Sequence, residues 1–230
     1  MSALRFEFEG LVGGYGSSMI LRGVGGAVAA GEVLFVLGRN GVGKSTLMKL
    51  LMGLLPCRAG RVRLDGQDIT GMATPERRRD GITYCPQERI VFDELSVRDN
   101  LMLMAPPDAA ARLDRLAARF PLLARRREQR AGTLSGGEKK ILSFVRAAIE
   151  DHRLVLLDEP TEGVQAENIE RMEAVIREGC QAGVAYVIVE QNLTVAERLA
   201  DRWLVMDKGQ VVLHGTGPID RDAVMGHIHV

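Results

Sequence analysis

Apolar residues along this chain occur in two patterns. Val33-Leu34-Phe35-Val36-Leu37, Leu154-Val155-Leu156-Leu157 and Val184-Ala185-Tyr186-Val187-Ile188-Val189 are short continuous runs. Runs of this length, rich in branched residues and bounded by polar or glycine positions, read as strands buried on both faces. Between them the apolar positions return every third or fourth residue. That spacing predicts helices over Leu47–Leu54, behind Leu134–Glu138 with Ile141, Val145, Ala148 and Ile149 on one side, over roughly 165–178, and up to about Leu199. Strands alternating with helices predict an α/β fold with a parallel sheet covered on both faces. Such sheets bind ligands at the C-terminal ends of their strands.

The remaining stretches are shorter. Leu4–Phe8 alternates like a strand, Ile20-Leu21 and Val24–Val28 continue the sheet, and Gly60–Gly66 reads as a strand ending in an Asp-Gly turn. Thr74-Pro75-Glu76 reads as a helix start, with Thr74 as the capping hydroxyl and Arg77-Arg78-Arg79 on a solvated face. Gly81–Gln87 reads as a strand running into a loop, and from about Asp93 to Arg130 the pattern becomes helical. There Ser96 is expected to cap Val97–Met104, and Asp108 to cap the stripe Leu113, Leu116, Ala117, Phe120. Pro106-Pro107 and Pro121 bound these pieces. Trp203–Met206 and Val211–Leu213 close the chain as a hairpin across Lys208-Gly209. A single domain over 1–230 is expected, its core at about 1–92 and 131–230 and a helical lobe inserted at about 93–130.

The candidate chemistry sits after the first buried run. Gly38-Arg39-Asn40-Gly41-Val42-Gly43-Lys44-Ser45-Thr46 matches G-x-x-x-x-G-K-[ST], a phosphate-binding loop, with a strand before it and a helix after it. A helix N-terminus offers unpaired N–H groups and a positive dipole end, and glycines let the backbone wrap an anion closely. Lys44 places a charge on the β- and γ-phosphates, and Ser45 offers a hydroxyl to Mg²⁺. Two further strand ends carry polar groups, Asp158-Glu159 and Glu190-Gln191. Tyr15, among glycines, is either a base-stacking aromatic or an ordinary turn residue.

Thirty basic and thirty acidic residues in 230 give no net charge, which removes any global electrostatic case for nucleic acid as a partner. Cys57, Cys85 and Cys180 are scattered without metal or disulfide spacing and fit a reducing compartment. His152, His214, His227 and His229 show no ligand spacing. No signal-peptide core and no bilayer-length apolar run occurs, so a cytoplasmic location is expected.

Four motifs in order, the phosphate loop at 38–46, Gln87 in Tyr84-Cys85-Pro86-Gln87, Leu134-Ser135-Gly136-Gly137-Glu138, and the strand ending Asp158-Glu159, resemble the ATPase subunit of ATP-binding cassette transporters over essentially the full chain. The resemblance implies an ABC ATPase fold: a P-loop NTPase core with a mixed, mainly parallel sheet, an N-terminal antiparallel β part and the inserted helical lobe. Glu159–Gln165 (E-P-T-E-G-V-Q) and Val189-Glu190-Gln191-Asn192 are closer to the ATPases of branched-chain (hydrophobic) amino acid importers and their urea/amide relatives. Pro86-Gln87-Glu88-Arg89 followed by Ile90-Val91-Phe92 leans to the latter. Lys139-Lys140 departs from the glutamines more common there.

The resemblance also implies roles. Gly38, Arg39, Asn40, Gly41, Val42, Gly43, Lys44, Ser45 and Thr46 bind ATP, with Tyr15 on adenine and Gln87 at the nucleotide. Ser45 and Asp158 hold Mg²⁺, with Gln87 as a further ligand. Glu159 is the catalytic base, Lys44 a catalytic cation, and Gln191, where most relatives have histidine, positions phosphate and water. Ser135, Gly136 and Gly137 close over the ATP of a second ABC ATPase, identical or not. Integral-membrane permeases are the other partners, docking at about 87–95, with a periplasmic or extracellular solute-binding protein acting indirectly. The chain would then lie on the cytoplasmic face of the membrane. A soluble cassette ATPase of repair or translation, and a nucleotide-binding regulator without turnover, are the alternatives.

Overall fold

The structure, a computed structural model, describes residues 4–88 and 90–228. Arg89 and His229, named above, lie outside the described residues. In chain order the elements are β1 (Leu4–Tyr15), β2 (Ser18–Ala29), β3 (Val33–Leu37), α1 (Lys44–Leu51), β4 (Cys57–Leu64), β5 (Gln67–Asp68), α2 (Thr74–Arg79), β6 (Ile82–Cys85), α3 (Val97–Met102), α4 (Ala110–Arg119) and α5 (Pro121–Arg125). They continue with α6 (Gly136–Ile149), β7 (Leu154–Asp158), α7 (Ala166–Gln181), β8 (Ala185–Val189), α8 (Leu193–Leu199), β9 (Arg202–Asp207), β10 (Gln210–Thr216) and α9 (Arg221–Ile228). The chain divides into two units. The first runs through Tyr84 and adds His152–Asp158 and the chain from Gly179 onward; the second is Cys85–Asp151 with Glu159–Glu178. The expected lobe at about 93–130 falls inside the second unit, which also holds α6 and most of α7.

The first unit carries two sheets. Antiparallel strands in the order β2-β1-β4-β5 form one, and β10-β9-β3-β8-β7-β6 the other. In the second sheet β3 runs parallel to β8 and β9, β7 parallel to β8, and only the β9–β10 edge is antiparallel among the described pairings. The fold is therefore the expected α/β arrangement: an antiparallel part and a mixed, mainly parallel sheet with helices. Every residue of β3, β7 and β8 is buried, as continuous apolar runs require. Their side chains join those of α1 and β1 in one core that includes Phe6, Leu34, Leu47, Leu156 and Val187.

Two local expectations in this unit are corrected. Thr74 is already inside α2; Ala73 precedes it, and the Glu76 carboxylate accepts from the Ala73 N–H at 2.9 Å. Arg77 is not solvated. It is 2% exposed and donates to the carbonyls of Leu50 (3.2 Å), Leu51 (2.6 Å), Met72 (3.0 Å) and Thr70 (2.8 Å). A helix leaves its last carbonyls without intrahelical partners, and this guanidinium serves two of them at the end of α1. Burial lowers its pKa from the ordinary arginine value.

The second unit is built from helices, the short α3, α4 and α5 beside the longer α6 and most of α7. Ser96 caps α3 as expected, accepting from the Asp99 N–H. Asp108 does not cap α4, whose preceding residue is Ala109 in helical conformation with no side-chain cap. Asn100 is fully buried and exchanges hydrogen bonds with both backbone groups of Phe92 while donating to Ser96 O, so it fixes the loop before α3. Phe120 and Phe144 meet edge-on at 6.3 Å.

Candidate functional site

In the first unit the site grows from the end of β3. Gly41 (φ 80°) and Gly43 (φ 111°) take left-handed backbone that a side chain would strain, and Gly43 stands directly before α1. The loop leads directly into the helix N-terminus, where an anion is favoured. Lys44 is 4% exposed, and its ammonium donates to Gly38 O (2.8 Å) and Arg39 O (2.9 Å). These bonds fix a buried positive charge over the loop's own backbone. Ser45, one residue further on α1, donates to Asp158 Oδ1 at 3.1 Å. Asp158 ends β7, is 2% exposed, and accepts from the Tyr84 hydroxyl on Oδ2 at 3.2 Å.

Gln191 follows β8. Its amide donates to Asn40 Oδ1 in the phosphate loop at 2.7 Å, across 151 residues of sequence. The preceding Glu190, buried, accepts from the Gln191 N–H at 3.1 Å and so shapes this turn. Tyr15 ends β1 and is exposed; Lys49 of α1 donates to its hydroxyl at 3.1 Å and lies over its ring at 5.6 Å from the centroid. Tyr15 is therefore held by the same helix that begins at Lys44. Nine of the predicted residues, Gly38–Thr46, together with Asp158, Gln191 and Tyr15, belong to this unit.

The second unit holds Gln87, Ser135, Gly136, Gly137 and Glu159. Ser135 caps α6, accepting from the Glu138 N–H, while the Glu138 carboxylate accepts from the Ser135 N–H at 2.9 Å. Gly137 packs so closely on the loop after β7 that a Cβ there would lie 2.3 Å from Gly163 O. Ser135 and Gly137 line a cavity of ≈ 480 Å³ with Gly163, Gln165 and Arg171. Gln87 donates to Glu159 Oε2 at 2.6 Å. Glu159 is 4% exposed and has φ 50°, left-handed backbone for a residue with a side chain. Lys140 donates to Glu159 O at 2.8 Å and to Glu162 Oε2 at 2.9 Å. Asp158 and Glu159 fall in different units, but the peptide bond between them sets their Cα atoms about 3.8 Å apart.

A magnesium ion fits the first-unit donors. Mg²⁺ takes hard oxygen ligands, keeps several waters, and is held by one or two protein oxygens plus substrate phosphates. The Ser45 hydroxyl and the Asp158 carboxylate are such a pair, already within hydrogen-bond distance. Among the described residues no cluster of three or more histidine, cysteine or acidic side chains could form a protein-only metal cage. Two residues are not legible in the sequence as site members: Tyr84 and Lys140. Tyr84 stood inside the quoted Tyr84–Gln87 stretch and Lys140 was visible as a departure. Their contacts with Asp158 and Glu159 span 74 and 19 residues, which no local pattern encodes.

A phosphate loop at a strand end, an acid pair after a buried strand and a capped Ser-Gly-Gly corner define a nucleotide-hydrolysing protein of the P-loop class. The family model described as ABC transporter matches residues 21–162. The high-affinity branched-chain amino acid transport ATP-binding protein BraG of Pseudomonas aeruginosa is 36% identical over 222 residues, 92% of this chain and 95% of BraG. The lipopolysaccharide export system ATP-binding protein LptB of Escherichia coli (strain K12) is 31% identical over 215 residues, 90% of this chain and 89% of LptB. Among solved structures, a nucleotide-free ATP-binding cassette from an ABC transporter superposes with a TM-score of 0.85 at 25% identity, covering 97% of this chain and 95% of that one. A cassette in its ADP conformation gives 0.80 at 26% identity over 93% of this chain and 91% of that one. The chain belongs to the ABC transporter family, and it is an ATPase subunit of that family.

Proposed function

We propose that this chain is the ATP-hydrolysing subunit of an importer for branched-chain or other hydrophobic amino acids. Phosphoryl transfer needs positioning and charge stabilisation more than covalent chemistry. The Gly38–Thr46 amides bind the phosphates, and the Lys44 ammonium offsets their charge. Ser45 and Asp158 would hold Mg²⁺, with Gln87 as a further ligand, and the ion would supply charge neutralisation on the bound phosphates. Glu159 accepts a proton from a water as its oxygen bonds the γ-phosphorus, and the bond from that phosphorus to the β-bridging oxygen breaks, leaving ADP and phosphate. Gln191 has no titratable proton, so it positions and takes no acid–base part. Its bond to Asn40 supports that reading. Tyr15 stacks on the adenine.

The observation that carries the substrate reading is BraG-like sequence along nearly the whole chain, together with Glu159–Gln165 and Val189–Asn192. The likeness to LptB, at 31%, favours an exporter as the second reading. Urea or a short amide remains the near alternative within import, on the Pro86–Phe92 stretch. In each case a second cassette and membrane-embedded permeases complete the machine at the cytoplasmic face, with Ser135, Gly136 and Gly137 over the partner's ATP and the permease docked at about 87–95. Among the described residues no helix is long and apolar enough to cross a membrane.

The test is co-expression with permeases of a branched-chain amino acid importer, reconstitution, and phosphate release with a solute-binding protein. Stimulation by leucine, isoleucine or valine, absent with urea, supports the reading; stimulation by urea alone, or by neither, overturns it. Glu159→Gln should lower turnover by roughly 10²–10⁴ while ATP still binds.

A further inference from the structure

We propose that Lys140 is a positioning residue for Glu159, holding the backbone of the acid that activates water. This rests on the reading of Glu159 as the base. A non-glycine residue keeps left-handed backbone only where its surroundings fix it, and Glu159 has φ 50°. Two side chains grip it from opposite ends. Gln87 donates to its carboxylate at 2.6 Å, and Lys140 donates to its carbonyl at 2.8 Å. A second bond at 2.9 Å ties Lys140 to the Glu162 carboxylate, three residues further on. The ammonium therefore spans the turn that the left-handed residue begins.

A plain surface ion pair with Glu162 would do little. Lys140 differs from one in two respects. Its side chain is 12% exposed against 63% for Glu162, and one of its bonds goes to the main chain of the proposed base. Its own anchor is firm: α6 starts at the reciprocal Ser135–Glu138 cap, and Lys140 lies two residues past Glu138. Beside it, Lys139 turns away to Asp93 at 2.8 Å, so the two lysines do different work. Lysine carries three donors on a flexible stem, enough for both acceptors at once. The Glu162 carboxyl is held below the ordinary glutamate range, first by the Lys140 hydrogen bond, then by its charge, with Gln87 contributing. Gln87, Lys140, Glu159 and Glu162 thus form one connected group.

Lys140→Met removes both bonds. Turnover should fall roughly tenfold, the factor that 1.4 kcal/mol of transition-state stabilisation represents, while ATP affinity, read by a fluorescent nucleotide, stays within about twofold. Lys140→Arg, which keeps the charge and donors, should restore most of the rate; Lys140→Gln, with donors and no charge, should fall between. The decisive measurement is the double variant with Glu159→Gln. If Lys140 acts through Glu159, Lys140→Met adds no further loss once that carboxylate is gone. Full turnover in Lys140→Met, or losses that multiply in the double variant, overturn the proposal. Should Lys140→Met not fold, Glu162→Gln and Lys140→Gln carry the same comparison. If Glu159→Gln itself keeps wild-type turnover, it is the reading of Glu159 as base that fails, a separate result.

Discussion

The two units place their polar groups by different means. In the first, they are buried and mostly directed at backbone: Lys44 to Gly38 and Arg39, and Arg77 to four carbonyls, with Asp158 at the tip of a fully buried strand. In the second, beside the buried Asn100 on the backbone of Phe92, more exposed side chains bind one another: Lys139 with Asp93, Arg112 with Asp151 and Arg119 with Glu178. A phosphate grip made of backbone amides and desolvated charges moves only if the fold moves. An acid held through lysine and glutamine side chains can be retuned by one substitution. Asp158 and Glu159, joined by one peptide bond, are both buried: Asp158 accepts from the Ser45 and Tyr84 hydroxyls, and Glu159 from Gln87 on its carboxylate and Lys140 on its carbonyl.

The largest break in that contrast is at Arg77. Replacing it with methionine removes the guanidinium donor from the buried Leu51 carbonyl and the partly buried Met72 and Thr70 carbonyls, while Leu50 O keeps the Gly53 N–H. Unmade buried hydrogen bonds are costly, and a loss of about 2–4 kcal/mol is expected in urea unfolding. Arg119→Met in the second unit, where both partners are partly exposed, should cost under about 1 kcal/mol. Equal costs would erase the distinction between the units.

The same contrast decides what the sequence made legible. The runs Val33–Leu37, Leu154–Leu157 and Val184–Val189 revealed the parallel sheet, because a strand buried on both faces has no polar alternation to confuse it. The phosphate loop was legible because glycines, lysine and serine at fixed spacing have one shared physical use. Arg77 was not: three arginines in a row look solvated, and only the approach of α2 to the end of α1 buries one of them. Thr74 and Asp108 were read as caps because their side chains favour that role, yet the helices begin elsewhere, beside Ala73 and Ala109. Helix boundaries follow tertiary packing as much as propensity. The contacts of Lys140 and Gln191 join residues distant in sequence, and no periodicity carries that information.

A middle-sized effect sharpens the first unit's side of the comparison. Tyr84 donates to the Asp158 oxygen opposite the one that accepts from Ser45. Groups that orient a metal ligand typically matter by tenfold or more. Tyr84→Phe should raise the Mg²⁺ concentration for half-maximal phosphate release by roughly tenfold, with little change in unfolding midpoint. An unchanged Mg²⁺ dependence would mean that Asp158 needs no such support, or that it does not hold the metal.

The smallest expected effect comes from pH: carboxyls held below their ordinary range occur in both units, Glu32 and Asp68 in the first and Glu162 in the second, while the first also carries thiol and phenol groups shifted upward. In the first unit burial, with help from the Asp201 charge, pushes the Cys180 thiol from near 9 up to about 12. Burial, and then the Cys180 charge, raises the Tyr186 phenol well above its ordinary value. Both folded-state values exceed the unfolded ones, so the folded chain binds these protons more tightly. Their contribution is intact below about pH 9 and declines as pH climbs toward 12. In the second unit Glu162 is depressed, so its contribution stands above the ordinary glutamate range and is lost as acid protonates it. Urea midpoints at pH 8 and 10.5 should differ by about 1 kcal/mol in stability once screening at the partly exposed Cys180 is allowed for. Tyr186→Phe, which removes a buried titrating group from β8 and keeps the ring, should shrink that difference. If the difference survives in Tyr186→Phe and in Cys180→Ala alike, alkaline loss arises elsewhere, and the first unit's buried groups are not what sets its upper pH limit.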